Sequence, residues 1–270
     1  MSAFAGNSLL CRVALRDTAI DAATFTSLRM LAGALFLAWL VRRRAPRNVD
    51  VRGDAISALA LWAYAAAFSF AYLGLTAATG ALILFGTVQL TMTAAALWRG
   101  ERISGWQGTG MLLALAGLVY LLLPGVAAPG WTSGSLMAAA GIAWAVYSLR
   151  GRGVADPLAV TAGNFRLALV PALVLSVVAT AASSMPTWDL PGLVYAVASG
   201  ALASGAGYAV WYSVLPHLKA TQAATVQLCV PVLAALGGVL LLGETLSPRL
   251  LVSAAVVLGG VALVQRSPLR

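Results

Sequence analysis

The sequence predicts an all-α integral membrane protein: ten transmembrane helices arranged as two five-helix repeats of inverted topology. Three observations predict it. First, 61% of the 270 residues are hydrophobic and 9% are charged, and the mean hydropathy is +0.90. A soluble domain commonly charges about a quarter of its residues, so this chain cannot cover a water-facing surface. Second, its apolar runs approach the roughly 20 residues that a spanning helix needs. They are continuous, whereas barrel strands alternate apolar and polar positions, and open sheet edges cannot be satisfied in lipid. Third, motifs recur across the two halves.

The apolar runs place helices at 1–15, 23–41, 55–73, 77–98, 106–123, 133–149, 157–181, 190–213, 220–242 and 249–265. The first is too short to span alone. It lacks a basic leader and runs into Arg12 and Arg16, so no cleavable signal is expected. The linkers are short and rich in Pro, Gly, Ser and Arg, as at Arg42-Arg43-Arg44-Ala45-Pro46-Arg47 and Ser183-Ser184-Met185-Pro186. Cys11 and Cys229 both fall in apolar runs and read as packed free thiols.

Charge sets the orientation. The net charge of +9 is dispersed over short loops, which argues against nucleic acid as a partner and for membrane topology. With the N-terminus inside, one side holds Arg42, Arg43, Arg44, Arg47, Arg52, Arg99, Arg102, Arg150, Arg152, Lys219, Arg266 and Arg270. The other side holds Arg12, Arg16 and Arg249. Cytoplasmic loops carry the excess of Lys and Arg, so both termini are expected inside, in a bacterial inner membrane.

The repeat is read from Gly100-Glu101-Arg102-Ile103-Ser104 after the fourth helix and Gly243-Glu244-Thr245-Leu246-Ser247 after the ninth. Arg29 and Arg166 recur early in helices two and seven. The halves are 1–123 and 133–265. Five helices is an odd number, so the second half enters the membrane inverted, and transporters use such repeats to build a midplane site.

These residues, with Pro231, the terminal Gly-Gly helix, Phe4-Ala5-Gly6-Asn7 with Arg12, and Phe25 through Arg29, resemble EamA-type members of the drug/metabolite transporter superfamily. Gly80 through Gly86 with Gln89 is most similar to its YddG-like aromatic-amino-acid exporter branch. The resemblance covers essentially the whole chain. It implies a ten-helix exporter of amino acids or other small metabolites, with both termini inside. The chain departs from the pattern in its short first helix and in Val88 where the second repeat has Pro231.

The acidic residues Asp17, Asp21, Asp50, Asp54, Glu101, Asp156, Asp189 and Glu244 all fall in loops or at helix ends. Proton-coupled carriers usually keep an ionisable group within the membrane, so facilitated or weakly coupled flux is expected. Arg29 and Arg166 are the two charges inside helices. Each grips a substrate carboxylate, snorkels to an interface or caps carbonyls at a broken helix.

Asn7, Gln89, Asn164 and Gln227 are amides in apolar surroundings and should face the bundle interior. They serve as interhelical hydrogen bonds or as lining of the substrate path. Tyr64, Phe68 and Tyr72 recur at helical spacing, and Trp144, Tyr147, Tyr208, Trp211 and Tyr212 add aromatic surface. Rings near helix ends, including Tyr72, Tyr212, Trp98, Trp131 and Trp188, suit interface anchoring. The deeper Tyr64, Phe68, Trp144 and Tyr208 suit packing or an amphipathic substrate. The proposed substrate set is therefore Asn7, Tyr64, Phe68, Gln89, Trp144, Asn164, Arg166, Tyr208 and Gln227, with Pro231 as a hinge.

A channel-like uniporter is the first alternative. An intramembrane enzyme is the second, resting on Ser204-Gly205 as a weak nucleophile signature with His217 distant from it. No cofactor or metal site is visible. Apart from the substrate and the bilayer no partner is called for, and the bundle can bury its own interfaces as a monomer.

Overall fold

The computed structural model describes residues 1–44, 51–98, 100, 104–123, 129–151, 154–182, 187–214, 227 and 229–266. They form ten helices: α1 (Ser2–Asp17), α2 (Ala22–Arg44), α3 (Ala55–Ala71), α4 (Ala77–Trp98), α5 (Gly105–Leu122), α6 (Trp131–Arg150), α7 (Pro157–Ala182), α8 (Leu190–Val214), α9 (Cys229–Leu242) and α10 (Pro248–Arg266). Among the described residues there is no strand. Five helices, α2, α4, α5, α7 and α8, are long and apolar enough to cross a bilayer. The chain is a multi-pass membrane protein. Glu101, Asp50, His217 and the expected start of the ninth helix at 220–226 lie outside the described residues.

Local chemistry fixes several helix ends. Asp54 caps α3 by accepting the Ser57 N–H at 2.8 Å. Ser104 and Gln107 form a reciprocal capping box on α5. Asp189 caps α8 through the Gly192 N–H at 3.0 Å. Gly100 and Gly243, each just past α4 and α9, take φ +85° and +63°, a region open to glycine at little cost.

Helices α1, α2, α3, α6, α7 and α8 surround the centre. The packed pairs are α3 with α6 and α7, α2 with α7 and α8, α1 with α8 and α9, α4 with α6 and α9, and α5 with α10. The α5–α10 seam is close because a methyl at Gly110 would overlap the Gly260 carbonyl, and the reverse holds for Gly260.

Helix α8 is not regular. Ser199–Ala206 is a π-helical stretch, flanked by α-helix on both sides. Its hydrophobic run reads as one uninterrupted helix, and nothing in the apolar pattern signals the change of pitch. The seat of the π stretch is Gly200, where a methyl would overlap the Arg29 carbonyl oxygen of α2. Backbone contact therefore replaces a side chain at this crossing.

The apolar exterior includes Trp98, Trp131 and Trp188, all exposed as interface anchors require. Tyr72 and Tyr212 depart from that expectation, because both are buried. Tyr72 packs edge-on against Phe68 at 4.8 Å between centroids, so its ring faces the bundle and not the headgroups. Cys11 is buried, but Cys229 is exposed, contrary to its reading as a packed thiol.

Two glycine substitutions should have opposite effects. Gly243→Ala forces a Cβ into the left-handed region and should cost about 1 kcal/mol. Gly259→Ala, on a helical face open to space, should gain up to about 1 kcal/mol of helix propensity. Thermal unfolding of the purified variants in one detergent should show the first melting below the parent and the second at or above it.

Candidate functional site

Arg29 lies at the centre of the bundle with no accessible surface. The expectation that it snorkels to an interface therefore fails. Its aliphatic stem is enclosed on all sides, so the guanidinium must be satisfied where it is. Nε donates to Ser204 Oγ of α8 at 3.2 Å, and Nη2 donates to Tyr64 Oη of α3 at 3.2 Å. The guanidinium carbon lies 5.2 Å from the Tyr64 ring centroid and 5.1 Å from that of Phe68, within cation–π range. Nη1 has no hydrogen-bond partner. Among the described residues no carboxylate pairs with Arg29. A buried charge without a counter-ion is costly unless hydrogen bonds and fixed dipoles replace its water.

A chain of hydrogen bonds holds this arginine and ends where it began, on α8. Ser199 Oγ donates to Asn7 Oδ1 at 2.6 Å, and Asn7 Nδ2 donates to Tyr64 Oη at 3.3 Å. Tyr64 accepts from Arg29, which donates to Ser204. Ser199 and Ser204 are five residues apart. In an α-helix such positions diverge by about 140°, given 3.6 residues per turn. The i→i+5 repeat of a π-helix brings them toward one face. The irregular pitch of α8 is thus what lets both hydroxyls meet α1 and α2.

Rings line the other side. Trp144 stands 4.9 Å from Tyr64 and 5.0 Å from Tyr208 between centroids. Phe4 meets both Trp144 and Tyr208 edge-on at 6.0 and 5.8 Å, and Phe165 meets Tyr208 at 5.9 Å. The space they leave, bounded also by Asn7, Phe68, Leu84, Phe85 and Ala203, is about 10 Å³, about the room one water requires. The site is collapsed onto itself in this conformation.

Two features flank it along the bundle axis. Towards the arginine-rich end, a cavity of about 300 Å³ opens between the starts of α3 and α7 and the ends of α6 and α8. Tyr147 lines it and stands 5.7 Å from Trp144, so one aromatic layer separates cavity from cage. Asp54 at its rim is held below the usual carboxylate range by the Ser57 hydroxyl and N–H first, and by Arg150 in addition. A depressed carboxyl contributes stability above its unfolded pKa and loses it as pH falls through the folded value, so this rim is intact at neutral pH.

The opposite end is shut. Glu244 follows α9 in a loop, as expected, but its side chain turns inward and the residue is 9% exposed. Gly243 supplies the turn, and the Glu244 N–H returns to the Gly238 carbonyl at 2.9 Å. Glu244 Oε1 accepts from Arg12 Nε at 3.2 Å, and Oε2 accepts from the Ala77 N–H at 2.8 Å. Arg12 Nη1 also donates to the Tyr72 carbonyl at 2.9 Å. One ion pair thereby ties α1, α3, α4 and the α9–α10 turn, with the carboxylate at the positive end of α4.

Of the residues singled out by sequence, the structure brings Asn7, Tyr64, Phe68, Trp144 and Tyr208 together. Asn164 lies apart, in the 300 Å³ cavity, where its Oδ1 accepts the Asp54 N–H at 2.8 Å. Arg166 is exposed on the outer side of α7, with Nη2 reaching the Val51 carbonyl at 3.4 Å. It is not in the cage, because its position on α7 faces away from α2 and α8. Gln89 is half-buried on α4, and its carbonyl accepts from Thr93. Gln227 is half-buried just before α9, and Pro231 is buried within α9. Ser199 and Ser204 were not singled out as ligands. Small hydroxyls in a Gly/Ala-rich helix read as packing residues, and only the π pitch reveals their common face.

A ten-helix membrane bundle whose centre holds a caged, partly unpartnered cation has the organisation of a carrier for small solutes. The EamA-like transporter family matches residues 132–266, half of the chain. The chain belongs to the EamA-like transporter family, and is a membrane transporter of small solutes. An uncharacterized Pseudomonas aeruginosa protein is 57% identical over 264 residues, covering 98% of this chain and 91% of its own length. A WAT1-related chloroplastic protein of Arabidopsis thaliana is 28% identical over 204 residues, covering 70% of this chain and 48% of its own. A solved crystal structure superposes with a TM-score of 0.67 at 20% identity, covering 97% of this chain and 94% of that one, and so shares the fold.

The hydrogen-bond chain makes Tyr64 a test of the cage. Tyr64→Phe keeps the ring but removes the oxygen shared by Asn7 and Arg29. Leaving buried donors unpaired costs about 1–3 kcal/mol, so the variant should melt clearly below the parent. Phe68→Leu removes a cation–π partner together with the ring contacts to Tyr64 and Tyr72, and should also melt below the parent.

Proposed function

We propose that this transporter exports small amphipathic solutes, amino acids foremost, through a cavity between two inverted five-helix halves. The observation that carries the reading is Arg29. Its Nη1 is an unpartnered donor, buried with a guanidinium that lies over Tyr64 and Phe68, and Tyr64 in turn meets Trp144, which meets Tyr208. A carboxylate entering the cage would complete the guanidinium with a charge-assisted bond. The rings would stack on an apolar side chain and attract an amine. A single buried arginine is too little for a sugar-phosphate dianion. A channel-like uniporter is the weaker reading, because the space at the cage is closed at about 10 Å³.

In this proposal the arginine-rich end faces the cytoplasm, following the bias of Lys and Arg, in an inner membrane. Solute enters from the 300 Å³ cavity, passes the aromatic layer and reaches Arg29. Release requires the Arg12–Glu244 tie to part, which gives alternating access. Pro231 in α9 and the π stretch of α8 are the irregular points where helices could flex.

Two features support the inverted repeat. The principal packed pairs map onto one another when each helix n is exchanged with n+5: α3–α6 maps to α8–α1, α4–α6 to α9–α1, and α2–α8 to α7–α3. The positive-φ glycines Gly100 and Gly243 also occupy matching places after α4 and α9.

The test is saturable uptake of labelled phenylalanine or tryptophan by the purified protein in liposomes. Amino-acid competitors should block it. Arg29→Gln should lower kcat/KM at least tenfold, the loss of one charged hydrogen bond of about 1.5–3 kcal/mol, while the variant still inserts. Uptake unaffected by Arg29→Gln would remove the carboxylate assignment.

Coupling is a separate expectation. Glu244, the buried acid of the described residues, sits at the shut end in an ion pair and outside the cage. Flux should therefore follow the solute gradient alone. An imposed pH gradient should change the initial rate less than twofold, read from counterflow in the same liposomes.

A further inference from the structure

We infer that the 300 Å³ cavity is a second binding site, which loads a zwitterion carrying neighbouring ammonium and carboxylate groups. The inference rests on the carrier reading above and adds a site to it. The cavity is built. Asn164, Thr161, Tyr147 and Tyr212 line it and are each more than nine-tenths buried. Its mouth is set by Asp54 at the start of α3 and Arg150 at the end of α6.

The pairing of these two residues is lopsided. Four donors converge on a single carboxylate oxygen, Asp54 Oδ2: the Ser57 N–H at 2.8 Å, Ser57 Oγ at 2.7 Å, Arg150 Nε at 3.2 Å and Arg150 Nη2 at 2.8 Å. Asp54 Oδ1 and Arg150 Nη1 have no partner among the described residues. The rest of the carboxylate and of the guanidinium is left to solvent, both side chains being partly exposed, at 45% and 40%. An α-amino acid carries the complement of that pair, its ammonium suited to Oδ1 and its carboxylate to Nη1. A simple amine or a simple acid would engage one half only. Arg52 also lines the cavity.

The backbone holds this mouth rigid. A methyl at Gly53 would overlap the Gly163 backbone, and one at Gly163 would overlap Gly53. The segment before α3 thus lies directly on α7, with Asn164 accepting the Asp54 N–H. Position and direction of the carboxylate are fixed by main-chain contacts, as a specific site needs.

The experiment is phenylalanine uptake by the full chain in liposomes, with phenethylamine and phenylpropionate as single-ended competitors. Asp54→Asn retains the helix cap and removes the charge. It should raise the KM for phenylalanine about tenfold, one charged hydrogen bond's worth. kcat should stay within about twofold, and phenethylamine should lose its inhibition while phenylpropionate keeps its own. Arg150→Gln should raise KM similarly, with the reverse pattern of competitors. Unchanged KM in both variants, while Arg29→Gln abolishes flux, would overturn the loading site and leave the carrier reading standing. Equal loss of both competitors in each variant would show a structural role and overturn it too. No saturable phenylalanine flux in the parent would overturn both readings.

Discussion

A guanidinium sealed inside a helical bundle imposes conditions on everything around it. Arg29 cannot reach water or headgroups, and no described carboxylate neutralises it. The protein must supply lone pairs and ring faces instead, and it does so from α3 and α8. The tyrosine hydroxyl at 64 is shared between Arg29 and Asn7, and the Asn7 carbonyl oxygen is in turn held by Ser199. Moving any of these helices breaks a bond that lipid cannot replace. The position of the cation therefore specifies the registration of α1, α2, α3 and α8 together.

The irregular pitch of α8 follows from the same demand. Two serines five residues apart must face one neighbourhood, and regular α-helix would turn one of them away. The crossing with α2 is close enough to need Gly200 where its backbone meets the Arg29 carbonyl. An apolar helix with a cluster of Gly, Ala and Ser can adopt this geometry because little side-chain packing is lost there.

Much of this was legible in the sequence. Continuous apolar runs gave the helices to within a few residues, apart from the start of the ninth, which lies outside the described residues. Four-residue spacing on α3 placed Tyr64 and Phe68 on one face, where the structure finds both at the cage. What was not legible depended on depth and rotation. Arg29 and Arg166 read alike as single arginines early in a helix, yet one is fully buried and the other exposed. Apolar surroundings in sequence do not say which face meets protein and which meets lipid. Tyr72 failed the same way, while Glu244, found in a loop as expected, turns its side chain inward. Both sit near helix ends, where a surface position is the ordinary reading, but both are drawn inward, Tyr72 among the rings and Glu244 by Arg12 and the α4 N-terminus.

The smallness of the space at the cage bears on the cell's energy supply. Protons cross membranes along unbroken files of water, and room for about one molecule interrupts such a file. With the far end tied by Arg12 and Glu244, a carrier resting in this conformation should be tight to ions. A membrane can then hold many idle copies without dissipating its electrochemical gradient. The cation at the centre adds to this barrier by repelling any proton that reaches the rings.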